Sequence, residues 1–378
     1  MMRVLITGDF FPGARLSKLS TMRSAQVFGE FADIIRAADL SIVNLEAPLC
    51  ESLKPIQKTG PAMCANPEIG AFLANSGFDL VTLANNHIFD FGAQGLESTF
   101  SALDSYNVAY VGAGENSQEA SRPFSRTIDG TVVAVLNFAE NEWSTTRGAS
   151  PGANPIDPVA NFQAISDERR RADWVIVICH GGHEMYPLPS PRMKELFRFY
   201  VKAGANAVIN HHPHCFSGYE VYRGAPIFYS LGNFLFDNPV RRSGPWTQGL
   251  AVELLMSKQQ VNFEIHLFDQ CTEDSLFKLR NKKEQELVLQ EIDSLNATIK
   301  DDERLEHAFR RFVTAQTQRY RRYLEPTSLR LLQAAQNRGL APSLLSKRKR
   351  RLLLNLIRCE AHRELIIEML EQDVGNSQ

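Results

Sequence analysis

The sequence predicts an α/β fold with a mixed sheet, or with two sheets packed face to face and helices outside, followed by a helical C-terminal region. Short runs rich in β-branched residues alternate with helical stretches, and the last of these runs are separated only by turns. From Asp274 onward the apolar residues recur only at helical spacing. We therefore expect one domain over residues 1–272 and a helical region over residues 273–378.

Ten segments are predicted to be strands because each is a short apolar run bounded by turn residues. They are Arg3–Thr7, Leu40–Asn44, Asp79–Leu83, Val108–Val111, Thr131–Phe138, Trp174–Cys179, Ala207–Asn210, Ile227–Ser230, Leu250–Leu255 and Val261–Phe268. Helices are predicted between several of them, at Ser24–Ala37, Glu68–Asn75, Gly95–Tyr106, Ala160–Arg171 and Pro191–Ala203. No strand is expected after Phe268.

Two other segments differ from this alternating pattern. Residues 141–157 have no apolar period and are predicted to form a long loop, either a lid or binding loop or a disordered excursion. Residues 352–371 are predicted to form one helix whose apolar stripe is typical of core or dimer packing, so a homo-oligomer through the C-terminal helices is one expectation. The basic run 347–351 before it is typical of a solvated first turn, with an acidic polymer, anionic lipid or nucleic acid as alternative contacts.

The overall composition is that of an ordinary soluble globular protein. Of the 378 residues 44% are hydrophobic and 22% charged, with a net charge of -2, so we expect neither disorder nor a nucleic-acid partner. The six cysteines form no CxxC pairs, which favours a reducing compartment. The apolar segment Val4–Thr7 is too short for a signal peptide or a membrane span, and the sequence contains no other span of 18 apolar residues. The expected location is the cytoplasm.

Six polar clusters each follow a predicted strand directly. The carboxyl ends of strands build the ligand site in open α/β sheets, so we expect these clusters to share one sheet edge. Their carboxylates, amides and imidazoles are ligands that Mn, Fe and Zn accept, which predicts a metal site. The clusters are Gly8-Asp9, Asn44–Glu46, Asn85–Asp90, His180–Glu184, Asn210–His214 and Gly232-Asn233.

Histidines are concentrated in these clusters. Seven of the nine lie in the first domain, and six of those seven occupy the proposed loops. His212 and His214 are two residues apart in a segment predicted to be extended, where side chains at i and i+2 point the same way. Pro213 would hold that conformation, so the pair is predicted to grip a metal or an oxyanion together.

The order of these motifs resembles the CapA family, named for poly-γ-glutamate capsule synthesis, within the calcineurin-like metallophosphoesterase superfamily. The resemblance covers roughly residues 3–255. It implies a four-layer α/β/β/α sandwich of the metallophosphoesterase type, with one or two divalent metal ions. The residues that carry it are Ile6–Asp9, Asp39–Glu46, Thr82–His87 with Asp90 and Gly92, His180–Gly182 with Glu184, His212–His214 and Tyr229–Phe234.

The resemblance also implies a set of metal ligands. Phe11 departs from the superfamily pattern, which has a histidine two residues after the first aspartate, so the first metal site is expected to be incomplete, weak or differently built. The implied ligands are Asp9 and His214 for the first metal, Asn86, His180 and His212 for the second, and Glu46, rather than Asn44, as the bridge.

Three residues are implied or considered as catalytic. His87 would donate a proton to a leaving group or stabilise an oxyanion, with Asp90 orienting it. Glu184 is either a base or substrate contact, or an exposed carboxylate at a helix start. Three basic residues could neutralise an anionic substrate, although surface solvation is the expected role of each: Arg15, Lys54 and Lys58.

The leading functional hypothesis is a metal-dependent hydrolase. Its substrate would be a small or polymeric anionic ester or amide in capsule, O-antigen or other surface-polymer metabolism. One alternative is an enzyme of poly-γ-glutamate-type or polysaccharide biosynthesis that forms or transfers an amide bond. The other is an assembly scaffold with a degenerate site, for which Phe11 would mark the loss of catalysis.

Overall fold

The computed structural model describes residues 1–257, 259–327, 329–338 and 340–375. The chain divides into two compact units, Met1–Phe309 and Arg310–Gln378. The domain boundary between residues 272 and 273 stays a prediction.

Within the described residues the chain forms sixteen strands. In chain order they are β1 (Met2–Phe11), β2 (Leu40–Leu45), β3 (Leu80–Thr82), β4 (Ala109–Val111), β5 (Ala113–Gly114), β6 (Phe124–Ile128), β7 (Thr131–Ala139), β8 (Gly152–Ala153), β9 (Trp174–His180), β10 (Ala207–His211), β11 (Tyr219–Tyr222), β12 (Ala225–Phe228), β13 (Asn233–Phe236), β14 (Gln248–Met256), β15 (Val261–Gln270) and β16 (Phe277–Leu279).

The same residues form twelve α-helices and two 3₁₀ turns, Ala14–Thr21 and Gly244–Thr247. The helices are α1 (Ser24–Phe28), α2 (Phe31–Ala37), α3 (Ile69–Ser76), α4 (Gly92–Ser105), α5 (Ser117–Ala120), α6 (Pro158–Arg169), α7 (Pro191–Ala203), α8 (Lys282–Lys300), α9 (Asp302–Leu324), α10 (Arg330–Asn337), α11 (Lys347–Arg358) and α12 (Glu360–Gly375).

Two mixed sheets form the centre of the first unit. The eight-stranded sheet has the order β16-β15-β14-β1-β2-β3-β4, with β13 also beside β1. Strands β1 to β4 and β13 are parallel, whereas β14, β15 and β16 are antiparallel to their neighbours. The six-stranded sheet has the order β11-β12-β10-β9-β7-β6, with a parallel centre and antiparallel edges. The predicted mixed α/β architecture is confirmed.

Three apolar cores hold four layers together. Alternate residues of β1 point to opposite faces, so Val4 and Ile6 face the six-stranded sheet while Leu5 faces α1 to α4. The core between the sheets joins Val4 and Ile6 to Ile176 on β9. On the far side of β9, Val177 packs in a third core with α6 and α7. The result is an α/β/β/α sandwich, as the sequence predicts.

The chain beyond Phe268 departs from the predicted pattern. Strand β16 pairs with β15, although no strand is expected there. It is only three residues long, too short to show a period in sequence. Helix α8 packs on the sandwich through Val288 and Ile292, which belong to the core between the sheets.

The predicted long loop at residues 141–157 is ordered by pairing and hydrogen bonds. Strand β8 within it pairs antiparallel with β5. The Ser144 hydroxyl donates to the carbonyl of Asn86 at 2.7 Å, and Ser144 is buried. The segment is therefore fixed beside one of the polar clusters.

In the second unit, the single helix predicted over residues 352–371 is two helices. Helix α11 ends at Arg358, Cys359 has an extended backbone, and α12 begins at Glu360. The basic run forms the first turn of α11, where the Ser346 side chain caps the helix by accepting from the Lys349 N–H. Among the described residues, no helix has both the length and the apolarity needed to cross a bilayer. The cytoplasmic location stays a prediction.

Candidate metal centre

Polar residues from both sheets meet where the parallel strands end. The first sheet contributes Asp9 near the end of β1, Glu46 just after β2 and Asn86 after β3. The second sheet contributes His180, the last residue of β9, and His212 just after β10. His214 follows two residues later. The structure thus brings all six sequence-predicted metal ligands to one region.

Asp9 is the buried centre of this region. Its Oδ1 accepts a hydrogen bond from Asn44 Nδ2 at 2.7 Å, and its Oδ2 accepts from the backbone N–H of His212 at 3.1 Å. The preceding Gly8 lets the chain approach β13 closely, because a Cβ there would lie 2.0 Å from the Gly232 carbonyl oxygen. The Asp9 N–H donates to that same carbonyl at 3.1 Å. Glycine at position 8 is therefore needed for the close approach of β1 and β13 that places Asp9 in the site.

Glu46 is fully buried, yet its carboxylate has no hydrogen-bond partner among the described residues. Its Oε1 lies 3.6 Å from Nε2 of His180 and 3.6 Å from Nε2 of His214. An ionised carboxylate left in this state costs free energy unless a cation is present. The orphaned oxygens of Glu46 are the strongest single indication that this site holds a metal.

His180 joins the amide of one loop to an imidazole of another. Its Nε2 lies 3.0 Å from Asn86 Oδ1 and 3.2 Å from His212 Nδ1. Its Nδ1 lies 3.8 Å from Asp9 Oδ1. A single proton on Nε2 of His180 cannot be donated to both the Asn86 oxygen and the His212 nitrogen. These closely spaced nitrogen and oxygen atoms are therefore potential metal ligands.

His212 and His214 are not in the extended segment that their spacing predicts. Their φ angles are 94° and 55°, so both lie in the left-handed region, which residues other than glycine rarely adopt. His214 is held there by Asn233, whose Oδ1 lies 2.9 Å from its Nδ1, and by the ring of Trp246, whose centroid is 4.7 Å away. The two imidazoles still converge on Glu46, but through a turn rather than an extended strand.

Burial dominates the electrostatics of the site. It raises the pKa of Asp9 to about 7, and with the added effect of the Asp9 charge it raises the pKa of Glu46 well above its usual range. Burial likewise lowers the pKa of His180, of His212 and of His214, the last to about 3. Within the described residues, no Lys or Arg forms an ion pair with either carboxylate. The site therefore combines neutral imidazoles with carboxylates that lack a counter-charge.

This donor set fits a divalent cation. Two overlapping groups have ligand atoms within 4.8 Å of one another, Asp9 with Glu46 and His180, and Glu46 with His212 and His214. Both groups are buried and share Glu46. Nitrogen and carboxylate ligands of this kind suit borderline divalent metals.

The predicted catalytic pair, His87 and Asp90, lies beside the proposed metal ligands. His87 Nδ1 is 2.7 Å from Asp90 Oδ2, and both residues are buried. Lys58, whose expected role was surface solvation, instead contacts Asp90 Oδ1, with only 5% of its side chain exposed. The Lys58 side chain is buried, contrary to expectation, because residues 51–64 fold back towards Asp90. No local sequence pattern reveals that fold.

Glu184 and Phe11 occupy the margins of the site. Glu184 is exposed in the connection between β9 and α7, and its charge acts on Glu46 and on His212. Phe11 packs against Phe236 at a ring-centroid distance of 5.0 Å, rather than towards the ligands. Position 11 therefore contributes an aromatic contact and no donor atom.

Sequence reasoning missed three residues that complete this region. Lys58 holds Asp90, Asn233 orients His214, and Asn44 donates to Asp9. Asn44 and Asn233 lay in recognised polar clusters, but their partners are distant in sequence. For both, the available signal was a polar residue at a strand terminus, since Asn44 is near the end of β2 and Asn233 is the first residue of β13.

The chain was compared with known families and proteins. A family model described as "Bacterial capsule synthesis protein PGA_cap" matches residues 3–238. The "PGA biosynthesis protein CapA" of Bacillus subtilis (strain 168) is 33% identical over 236 residues, covering 61% of this chain and 62% of that protein. The "Capsule biosynthesis protein CapA" of Bacillus anthracis is 33% identical over 245 residues, covering 61% and 59%. The chain thus spans about three fifths of the length of these curated relatives.

A solved structure is also similar to this one. It is a hypothetical protein from Thermus thermophilus, which is 16% identical in sequence and has a TM-score of 0.46. The likeness covers 71% of this chain and 99% of the other.

Proposed function

We propose that this chain, which belongs to the bacterial capsule synthesis protein family PGA_cap, is a metal-dependent hydrolase of an anionic ester or amide in surface-polymer metabolism. The observation that carries the proposal is the Glu46 carboxylate, buried with both oxygens unpartnered among the described residues and close to imidazoles from two loops. A bound metal is the group that would satisfy it.

The proposed ligands divide between two metal positions. Asp9 and His214, whose Oδ2 and Nδ1 lie 3.5 Å apart, would hold the first ion, and Asn86, His180 and His212 the second, with Glu46 shared by both. The ligand atoms also allow the other division, in which His180 joins Asp9 and His212 joins His214. Glu46 is preferred to Asn44 as the shared ligand because the Asn44 amide oxygen already accepts from Thr82 Oγ1 at 3.2 Å, whereas both Glu46 oxygens are unpartnered among the described residues. Mn, Fe or Zn would fit these nitrogen and oxygen donors. When bound, such ions polarise the substrate and activate water for attack.

The residues around the ligands would position the substrate and move the proton. His87 is proposed to protonate the leaving group from Nε2 as the doubly protonated imidazolium, whose Nδ1–H lies on Asp90, which fixes the ring and balances its charge. Glu184 is exposed at the rim, where it would contact the substrate or act as a base. A polymeric substrate is favoured by the names of the two relatives, which refer to PGA and capsule biosynthesis.

Those names also favour a second candidate function. An enzyme of polymer biosynthesis would form or transfer an amide bond at the same site, with the same ligands. The two candidates differ in whether water or an amine accepts the acyl group. Assays with γ-glutamyl amides in the presence and absence of an added amine acceptor distinguish them.

The first test is metal content followed by hydrolysis. Protein purified without chelator and reconstituted with Mn should retain metal and cleave a phosphodiester, a phosphomonoester or a γ-glutamyl amide. Glu46→Gln should lose both properties, because an amide cannot supply the shared negative charge. Glu220→Gln is the matched control, since Glu220 is also buried but pairs with Arg198 away from the site.

Two outcomes would contradict the proposal. A metal content near zero in the reconstituted wild-type protein would exclude a metal-dependent enzyme. Metal binding with turnover that His87→Ala leaves unchanged would exclude the role of His87.

A further inference from the structure

The segment 51–64 is largely exposed, yet one of its side chains points inward. This segment lies between β2 and α3, and most of its residues are exposed. Lys58 is one of its four half-buried residues and the only charged one among them, and only 5% of its side chain is accessible to solvent. Burying a lysine ammonium is costly without an anionic partner, so the reason must lie in what it contacts.

The ammonium of Lys58 contacts both members of the proposed catalytic pair, His87 and Asp90. Its Nζ contacts Asp90 Oδ1 directly and is 3.4 Å from His87 Nδ1. The other oxygen of Asp90 lies 2.7 Å from His87 Nδ1. Lys58 and His87 are therefore held on different oxygens of one buried carboxylate.

The backbone of the same segment is tied to the same aspartate. The Met63 N–H donates to Asp90 Oδ2 at 2.8 Å, and the Ile56 N–H donates to the Asp90 carbonyl at 2.9 Å. A third contact comes from residues 141–157, where Trp143 Nε1 donates to Thr59 Oγ1 at 3.0 Å. These bonds fix the position of Lys58, so its contact with Asp90 is built into the fold.

We propose that Lys58 is a positioning residue for the reaction at the metal centre: it fixes the Asp90 carboxylate, which in turn fixes the ring and tautomer of His87. The proposal rests on the proposed function for the role of His87. A carboxylate held by Lys58 on one oxygen and by Met63 on the other has no freedom to rotate. His87 then keeps its Nδ1 on Asp90 and leaves Nε2 for the substrate.

A direct role in binding the substrate is less consistent with the geometry. An ammonium that grips a phosphate or carboxylate of the substrate must present its donors to solvent, whereas Lys58 presents them to Asp90 and His87. Lys54 in the same segment is exposed, as expected of a solvated surface charge. The two lysines therefore form a natural comparison.

The test compares Lys58→Met with Lys54→Met. Methionine keeps most of the apolar stem of lysine and removes the ammonium. We expect Lys58→Met to lower kcat roughly 10- to 100-fold with little change in KM, as loss of a group that orients a catalytic residue does. Metal content should stay at the wild-type value, and Lys54→Met should not change kcat.

A spectroscopic measurement separates this proposal from the proposed function. The ¹⁵N NMR shifts of His87 report which ring nitrogen carries the proton, and they do so whether or not a substrate is known. Wild-type protein should show one tautomer, protonated on Nδ1, and Lys58→Met should show a mixture. An unchanged His87 signal in Lys58→Met would overturn the positioning role even if the protein proves to be a hydrolase.

A double-mutant comparison tests whether Lys58 acts through Asp90. In an Asp90→Asn background, Lys58→Met should cause no further loss of kcat, because the carboxylate it holds is gone. Full additivity of the two losses would overturn the proposal. A rise in KM with unchanged kcat would do the same, since it indicates contact with the substrate.

Discussion

His211 is the buried imidazole of the metal centre that is left unsatisfied. It is 1% exposed, and neither ring nitrogen has a hydrogen-bond partner among the described residues. Its Nδ1 lies 3.9 Å from Asp9 Oδ1, too far for a hydrogen bond. Burial lowers the pKa of His211 to about 3, so the ring is neutral near pH 7. Its polar atoms lose their hydration without gaining a bond.

Replacing this imidazole with an apolar side chain should stabilise the protein. We expect His211→Leu to raise the free energy of unfolding by about 1 kcal/mol, because an unsatisfied buried polar group costs roughly 1–3 kcal/mol and leucine removes that cost. Urea denaturation of the metal-free protein measures it.

His214→Leu provides the contrast for that measurement. His214 has a partner in Asn233 and is a proposed ligand, so its replacement should reduce both stability and metal content. Metal loss in His211→Leu would contradict our interpretation, because it would make His211 a ligand.

Sequence identified the residues of the site better than their conformations. The polar clusters were found because each follows a predicted strand, the family resemblance implied the six ligands within them, and the structure brings those six residues together. The left-handed backbone at His212 and His214 could not be found in this way, because it depends on Asp9, Asn233 and Trp246 far along the chain. Lys58 was missed for the same reason.

At the scale of the elements, a buried carboxylate on β14 contacts side chains of both neighbouring strands, β1 and β15. It lies on the face of the eight-stranded sheet that points away from the six-stranded sheet. Glu253 on β14 is 1% exposed, contacts Arg3 on β1 and lies 3.0 Å from Nε2 of His266 on β15. Glu253, Glu264 and His266 also have ligand atoms within 4.8 Å of one another. Arg3 already supplies a cation to Glu253, so this group is an ion-pair cluster of the sheet rather than a metal site.

Loss of that charge should destabilise the sheet in a pH-dependent way. Burial acts to raise the pKa of Glu253, but the hydrogen bonds from Arg3 and then His266 outweigh it, so the pKa lies below its usual value of 4.5. A depressed carboxyl pKa means that the stabilisation is present above 4.5 and is lost as pH falls through the folded-state value. Glu253→Gln should therefore cost about 2 kcal/mol near pH 7, typical of hydrogen bonds to a charged group.

Denaturation at two pH values checks this prediction. The stability difference between wild type and Glu253→Gln should shrink markedly at about pH 3, where Glu253 is protonated in the unfolded protein. A difference that is equal at both pH values would show that the effect is one of packing and not of charge.

Element prediction from sequence depended only partly on length. All ten predicted strands have counterparts, although β3, β4 and β12 are only three or four residues long. The six strands that were not predicted are β5, β6, β8, β11, β13 and β16, and all of them except the five-residue β6 are four residues or shorter. One of them forms beside a longer strand, as β13 does beside β1, whereas β5 and β8 pair with each other. The break between α11 and α12 was missed because the apolar stripe continues across it.

At the scale of the whole molecule, the candidate metal centre lies at a junction between two sheets. Asp9 and Glu46 belong to the eight-stranded sheet, whereas His180 and His212 belong to the six-stranded one. Two carboxylates buried together repel each other unless a proton or a cation lies between them, and burial, together with that repulsion at Glu46, raises the pKa of both Asp9 and Glu46. Without metal, this end of the sandwich should therefore be less stable than the rest.

Metal removal should lower the thermal stability of the protein. A ligand that binds only the folded state stabilises it by about 2.7 kcal/mol at 100 times its Kd. For a chain of this size we expect Tm to rise by roughly 3–4 °C when Mn is added at that concentration to chelator-treated protein. Differential scanning calorimetry measures the shift. Glu46→Gln should show no such shift, and an equal shift in that variant would place the stabilising metal elsewhere.

The hydrogen bond between Asp9 and His212 also constrains when this centre can form. The two residues are 203 positions apart, so the bond closes a very long stretch of chain. During synthesis the first strand leaves the ribosome long before β10, and contacts between such distant segments are slow to form. The centre therefore cannot be complete before residue 214 has been synthesised. A nascent chain that ends before His180 would expose the Asp9 carboxylate without its imidazole neighbours, so a metal held by both could not guide the earliest folding.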